Sequence, residues 1–96
     1  MICRMSVHWV REGMMKEALE QLESNAISSR ESGGLVARYH LVSESNPLEL
    51  PVVTIWESKE HFEKWLKGPL HKKRRPDQLN PFCKIVADWY QAEKPV

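Results

Sequence analysis

In two stretches near opposite ends of this 96-residue chain, apolar residues alternate with a more polar set of residues. This alternation is the pattern of a β-strand. In the first, residues 2–10, one set of alternate positions comprises Cys3, Met5, Val7 and Trp9, and the other comprises Ile2, Arg4, Ser6, His8 and Val10. In the last, residues 83–90, Cys83, Ile85, Ala87 and Trp89 alternate with Lys84, Val86, Asp88 and Tyr90. Because alternate residues lie on opposite faces of a sheet, the chain is predicted to begin and end in strands that each present two different faces.

Helical periodicity follows the first strand. Apolar residues recur at intervals of four, three and four, at Met15, Leu19, Leu22 and Ala26. This spacing predicts an amphipathic helix with these residues inward, and Gly33-Gly34 predicts its end near Ser32, since glycine readily adopts the conformation that closes a helix.

The middle of the chain predicts two further strands and a second helix. Residues 35–43 form the second strand, residues 43–47 a turn, and residues 52–56 a third strand buried on both faces. Ser58 is the predicted N-cap of a helix that Gly68-Pro69 ends. The residues predicted to face inward from this helix are Phe62, Trp65 and Leu66.

The order strand, helix, strand, strand, helix, strand predicts an α+β fold of the ferredoxin-like split βαβ type. Two helices would cover one face of a four-stranded antiparallel sheet, in a single domain spanning residues 1–96. The other face would be too apolar to remain in water, so a symmetric homodimer is predicted. The residues expected at its interface are Met5, Val7, Trp9 and Trp89.

Composition narrows the class of protein. Hydrophobic residues make up 42% of the chain and charged residues 28%, with a formal net charge of +1. No global field would gather nucleic acid or anionic membrane, and neither a signal peptide nor a bilayer-spanning run is found. We therefore expect a cytoplasmic protein in which Cys3 and Cys83 are free thiols, with no nucleic-acid or membrane partner.

Arg4, Ser6 and His8 share one face of the first strand, opposite the apolar set. If this face points toward the helices, three polar groups converge in an apolar space, as a ligand site requires. His8 could then act as a general base toward a ligand, and Arg4 could stabilise the resulting anion. The alternative is that the strand is partly exposed and these residues are solvated. No residues have metal-ligand spacing, so no metal is expected.

Residues 53–69, VTIWESKEHFEKWLKGP, join a strand ending in Trp-Glu to an N-cap and a helix bearing an aromatic residue and a Trp. This segment, with Gly33-Gly34 at the first helix end, resembles the antibiotic biosynthesis monooxygenase family of dimeric α/β barrels. The resemblance implies a cofactor-independent oxygenase acting on a small aromatic, quinol or polyketide-like substrate, in a pocket between helices and sheet. It makes Trp65 a candidate catalytic residue beside His8 and Arg4, and Ser6, Phe62 and His71 candidate substrate-binding residues.

The segment through Trp65 is particularly similar to the heme-degrading branch of that family, which implies heme as an alternative ligand. That branch carries an Asn on the first strand, where this chain has Ser6, and a histidine ligand where it has Arg74 or Arg75. His71 lies nearby, within a basic stretch predicted to be a solvated loop that could also gate an anionic ligand. A non-catalytic ligand-binding or regulatory module on the same scaffold is the third alternative.

Overall fold

The computed structural model describes residues 1–68 and 83–91. Its elements are, in chain order, β1 (Ile2–Val10), α1 (Met15–Glu31), β2 (Leu35–His40), β3 (Glu49–Trp56), α2 (Lys59–Lys67) and β4 (Cys83–Gln91). The strands form one sheet in the order β2-β3-β1-β4, and each pair of neighbours is antiparallel. The predicted ferredoxin-like α+β fold is confirmed.

Both helices pack on the same face of the sheet, over two apolar clusters. Val10, Leu50 and Val52 of the sheet pack with Ala18 and Leu22 of α1 in the first cluster. In the second cluster Trp56, at the end of β3, packs with Phe62 and Trp65 of α2. The ring centroids of Phe62 and Trp65 lie 5.6 and 5.7 Å from that of Trp56. The polar residues on this face of the central strands are thereby enclosed under the helices.

Two glycines set the passage from α1 into β2. Gly33 and Gly34 have φ angles of 77° and 83°, in the left-handed region that disfavours other residues. A Cβ at Gly34 would overlap the ring of His61 on α2, whereas a Cβ at Gly33 would meet open space. The carbonyl of Gly34 also accepts a hydrogen bond of 2.8 Å from the N–H of Glu57. The backbone at Gly34 therefore lies directly against the start of α2.

The second helix begins as predicted. Ser58 is its N-cap, and the Ser58 hydroxyl accepts a hydrogen bond from the backbone N–H of His61. Such a bond satisfies one of the donors that a helix start leaves unpaired.

Several predictions about strand bounds and buried residues are wrong. β2 ends at His40 rather than residue 43, and β3 begins at Glu49 and alternates between buried and half-buried residues instead of being buried on both faces. The predicted inward residues Leu19 and Leu66 are 49% and 40% exposed, because each helix buries a narrower stripe than the sequence pattern indicated.

The prediction that Trp89 lies at the dimer interface, on the face of the sheet away from the helices, is also wrong. In the β1–β4 register Trp89 lies opposite Arg4, so both side chains lie on the helix-covered face. The ring of Trp89 packs edge-on against Phe62 at a centroid distance of 4.9 Å. Ile85 and Ala87 lie on the same face as Trp89, with Ile85 opposite His8 and Ala87 opposite Ser6.

The opposite face, which we call the open face, carries the apolar set of β1. The exposed apolar or aromatic residues of the open face, which come from β1, β2 and β4, are Met5 (45%), Trp9 (37%), Tyr39 (57%), Val86 (53%) and Tyr90 (51%).

Neither of the two described helices has the length and apolar character of a membrane-spanning segment.

Candidate functional site

Two adjoining cavities lie between the sheet and the helices. The smaller and more enclosed, here called the inner cavity, has a volume of roughly 50 Å³, and the outer cavity has one of roughly 240 Å³. The residues that line both are Arg4, His8, Asn25, Phe62 and Trp65. The inner cavity also contacts Ser6, Leu22, Arg38, Val52, Thr54 and Trp56, and the outer cavity contacts Leu66 and Ile85.

His8 is a buried, neutral base at the junction of these cavities. Its Nδ1 lies 3.1 Å from the carbonyl oxygen of Leu50, which can only accept, so Nδ1 carries the proton and donates it. Nε2 is then left with a free lone pair. Burial lowers the pKa of His8, the bond to Leu50 partly opposes this, and the positive charges of Arg4 and Arg38 lower the pKa further. His8 is therefore unprotonated at neutral pH and can accept a proton at Nε2.

Arg4 and Arg38 supply positive charge to the inner cavity. The guanidinium of Arg4 stacks over the ring of Phe62, 4.9 Å from its centroid. The Nε–H of Arg38 donates to Nε2 of His40 at 2.8 Å, which fixes the direction of the arginine side chain. Burial, and next the charge of Arg4, lower the pKa of Arg38 to about 10. Both arginines remain charged at neutral pH.

Phe62 and Trp65 form an aromatic wall of the cavities, and a hydrogen bond to α1 holds Trp65 in place. The indole N–H of Trp65 donates to the Ser28 hydroxyl of α1 at 3.0 Å. On the sheet, the hydroxyl of Ser6 donates a long bond of 3.4 Å to the carbonyl of Val52. Among the described residues the indole N–H of Trp56 is buried with no hydrogen-bond partner.

The structure brings five of the predicted site residues together around these cavities, namely Arg4, Ser6, His8, Phe62 and Trp65. The alternative in which this face of β1 is solvated is wrong for Ser6 and His8, which are 2% and 8% exposed. The predicted residues His71, Arg74 and Arg75 lie outside the described residues.

Sequence reasoning missed Asn25, Arg38, Thr54 and Trp56. A signal for two of them was present in β3, where Thr54 and Trp56 follow Val52 at intervals of two. Nothing in the neighbouring sequence distinguishes Arg38 from a surface arginine until the pairing of β2 with β3 is known.

The heme alternative does not fit the described part of the site. The outer cavity, at roughly 240 Å³, is smaller than the pockets of about 300 Å³ and more that hold drug-sized ligands, and heme is a larger molecule than these. His8 is the single histidine among the described residues that line either cavity, and no cysteine, methionine or tyrosine among them offers a second axial ligand.

Several solved structures share this fold at low sequence identity. SnoaB from Streptomyces nogalater, a cofactor-independent oxygenase, superposes with a TM-score of 0.80 at 13% identity, covering 99% of this chain and 95% of that one. Protein SO0527 from Shewanella oneidensis gives 0.79 at 14% identity, with coverages of 93% and 87%. PA3566 from Pseudomonas aeruginosa gives 0.82 at 8% identity, with coverages of 97% and 94%. A comparison with curated proteins finds no match.

The fold places the protein among the small α+β proteins of the ferredoxin-like type. The sequence profile of the antibiotic biosynthesis monooxygenase family matches residues 1–76, which is most of the chain. The chain belongs to this family, as the resemblance in residues 53–69 indicated.

Proposed function

We propose that the protein is a cofactor-independent monooxygenase that oxidises a small aromatic or quinol substrate with molecular oxygen. The observation that carries this proposal is the buried His8, neutral and with a free Nε2 lone pair, beside Arg4 in a cavity walled by Phe62 and Trp65. The family match and the oxygenase activity of SnoaB support it.

In the proposed reaction the aromatic ring lies against Phe62 and Trp65, and Nε2 of His8 removes a proton from a ring hydroxyl. Arg4 stabilises the oxyanion that remains. The electron-rich anion then reduces oxygen directly. Conversion of a hydroquinone to a hydroxyquinone consumes one O2 and releases one water, so the substrate supplies every electron and no further reductant is required.

The test is oxygen uptake with a panel of hydroquinones and anthrones, corrected for the rate without protein. His8→Asn removes the base and is expected to lower kcat/KM by about 10²- to 10⁴-fold, the usual contribution of a positioned general base. His61→Asn is the matched control, because the His61 side chain hydrogen-bonds to the N-cap residue Ser58 and lines neither cavity. Circular dichroism establishes that both variants are folded. An uptake equal in His8→Asn and wild type, or absent with every compound, contradicts the proposal.

We also propose that the protein acts as a homodimer joined through the open face. Exposed Met5, Val86 and Tyr90 lie together on that face and give a monomer a large apolar surface in water. Trp89 is excluded from this interface, because it packs against Phe62 on the other face.

Light scattering after size exclusion tests the association. Val7→Lys places a charge at the centre of the open face and is expected to give a monomer. Leu19→Lys makes the same kind of change at an exposed position of α1 and is expected to leave the dimer intact. A wild-type monomer at micromolar concentration, or dissociation in both variants, contradicts association through this face.

A further inference from the structure

We propose that the substrate of this site carries a carboxylate, which binds in the inner cavity to Arg4 and Arg38 with the indole N–H of Trp56 as a third donor. The proposal rests on the proposed function for the location of the substrate, and it adds the chemical class: a monocyclic aromatic acid with a ring hydroxyl.

The two arginines are brought together by strand register. Thr54 of β3 lies opposite Arg4 of β1 on one side and opposite Arg38 of β2 on the other. Directly opposed residues share a face, and neighbouring strands lie about 4.8 Å apart, so the two arginine backbones are separated by roughly 10 Å across Thr54. Both side chains line the inner cavity above this row. An anion between them could bond to both guanidinium groups.

The described residues supply no carboxylate to balance the two arginines in the inner cavity. No aspartate or glutamate is among the described residues that line the inner cavity, and neither arginine forms an ion pair with any described carboxylate. Glu23 of α1 raises the pKa of Arg38, but Arg4 and Arg30 lower it and burial lowers it most. Partly buried cations are normally paired, so two unpaired arginines in one cavity indicate that the partner is an anionic ligand.

Trp56 provides an independent observation at the same place. Its side chain is fully buried and lines the inner cavity, yet its N–H has no partner among the described residues. Buried donors are almost always hydrogen-bonded, and an indole N–H can only donate. Arginine is likewise a donor without acceptor capacity. A carboxylate has several lone pairs and no proton, so it matches a set of donors of this kind.

The volumes divide the ligand between the two cavities. The inner cavity, roughly 50 Å³, accommodates a carboxylate but not a ring. The outer cavity, roughly 240 Å³, exceeds the cavity of about 150 Å³ that is sufficient for benzene. His8 lines both, so a ring that is anchored by its carboxylate presents a hydroxyl near Nε2.

The test compares 2,5-dihydroxybenzoate with its methyl ester, which differ only in the negative charge and in the ester methyl. Binding is measured under argon by quenching of tryptophan fluorescence and by calorimetry. Charge-assisted hydrogen bonds contribute about 1.5–3 kcal/mol, so the acid is expected to bind about 10- to 150-fold more tightly than the ester.

Arg38→Gln is expected to remove most of this preference, and Trp56→Phe, which keeps an aromatic ring, to reduce it several-fold. Arg11→Gln is the matched control, because it removes one positive charge from an exposed position at the end of β1. It is expected to retain the full preference. Unfolding curves show whether each variant is folded, and a misfolded Trp56→Phe leaves Arg38→Gln to decide.

Equal affinity for acid and ester in the wild type overturns the proposal. An equal loss of preference in Arg38→Gln and Arg11→Gln also overturns it, since that result would reflect net charge alone. Oxygen uptake separates this proposal from the proposed function. If the acid binds in an Arg38-dependent way but no oxygen is consumed, the carboxylate site is supported and the oxygenase function is refuted. If hydroquinone is oxidised in a His8-dependent way but the acid is not preferred, the oxygenase function is supported and the carboxylate site is refuted.

Discussion

Replacement of Gly34 by alanine is expected to destabilise the protein through two separable effects. The first is backbone strain, because Gly34 has a φ of 83° and a non-glycine residue in the left-handed region costs about 1–2 kcal/mol. The second is overlap of the new Cβ with the ring and the Cβ of His61, so this side chain must move. Moving it breaks the 2.7 Å hydrogen bond between Nδ1 of His61 and the Ser58 hydroxyl.

A hydrogen bond of this kind contributes about 0.5–1.5 kcal/mol, so Gly34→Ala should lower the free energy of unfolding by about 1.5–3.5 kcal/mol in total. For a domain of this size each kcal/mol shifts Tm by about 4–8 °C, which gives a fall of about 6–28 °C. Gly33→Ala is the matched control, since Gly33 has a similar φ of 77° but open space at the Cβ position. It should show the strain alone, about 1–2 kcal/mol.

Urea unfolding followed by circular dichroism measures these differences. A double-mutant cycle with His61→Gly, which removes both the ring and the Cβ of His61, isolates the overlap. In the His61→Gly background, Gly34→Ala should destabilise the protein no more than Gly33→Ala does in the wild type. The reasoning is refuted if the two glycine variants are equally stable in the wild-type background. It is also refuted if removing the His61 side chain gives no relief.

Three further predictions concern the site. The pKa of His8 lies below its usual value of about 6.5. The kcat/KM for quinol oxidation should therefore fall as pH is lowered through that pKa, because protonated His8 cannot act as a base. A profile that rises toward acid contradicts this. Because the pKa of Arg38 is about 10, the affinity for benzoate, measured by calorimetry, should decrease as pH rises through 10. The affinity for uncharged benzamide should not change. An equal loss of affinity for both compounds would indicate unfolding instead. Titration with hemin should give no saturable Soret shift, since the cavity is too small for the macrocycle; a saturable shift would restore the heme alternative.

The fold was predictable because local signals and global pattern agree. The alternation in β1 and the N-cap at Ser58 each depend on a few neighbouring residues, and each is found as expected. The sequence also shows that Arg4, Ser6 and His8 share one face of β1. It leaves open whether the helices cover that face, which the burial of Ser6 and His8 shows.

The face of β4 could not be predicted in the same way. Both alternate sets of β4 contain large apolar or aromatic residues, with Trp89 in one set and Val86 and Tyr90 in the other. A shift of one residue in pairing exchanges the two faces of a strand, and no short hairpin fixes the register between β1 and β4. The place of Arg38 in the site could not be predicted either. Its position beside Thr54 follows from the pairing of β2 with β3 and not from any local motif.

The nine residues of β1 carry two kinds of surface on alternate positions. Under the proposals made here, Arg4, Ser6 and His8 are selected by the ligand, and Met5 and Val7 between them are selected by the partner subunit. Substitution at the even positions can therefore change substrate preference while assembly is preserved. A single inserted or deleted residue in β1, in contrast, would exchange the two surfaces along part of the strand and disrupt chemistry and association together. This strand can diversify by substitution, but its length is constrained.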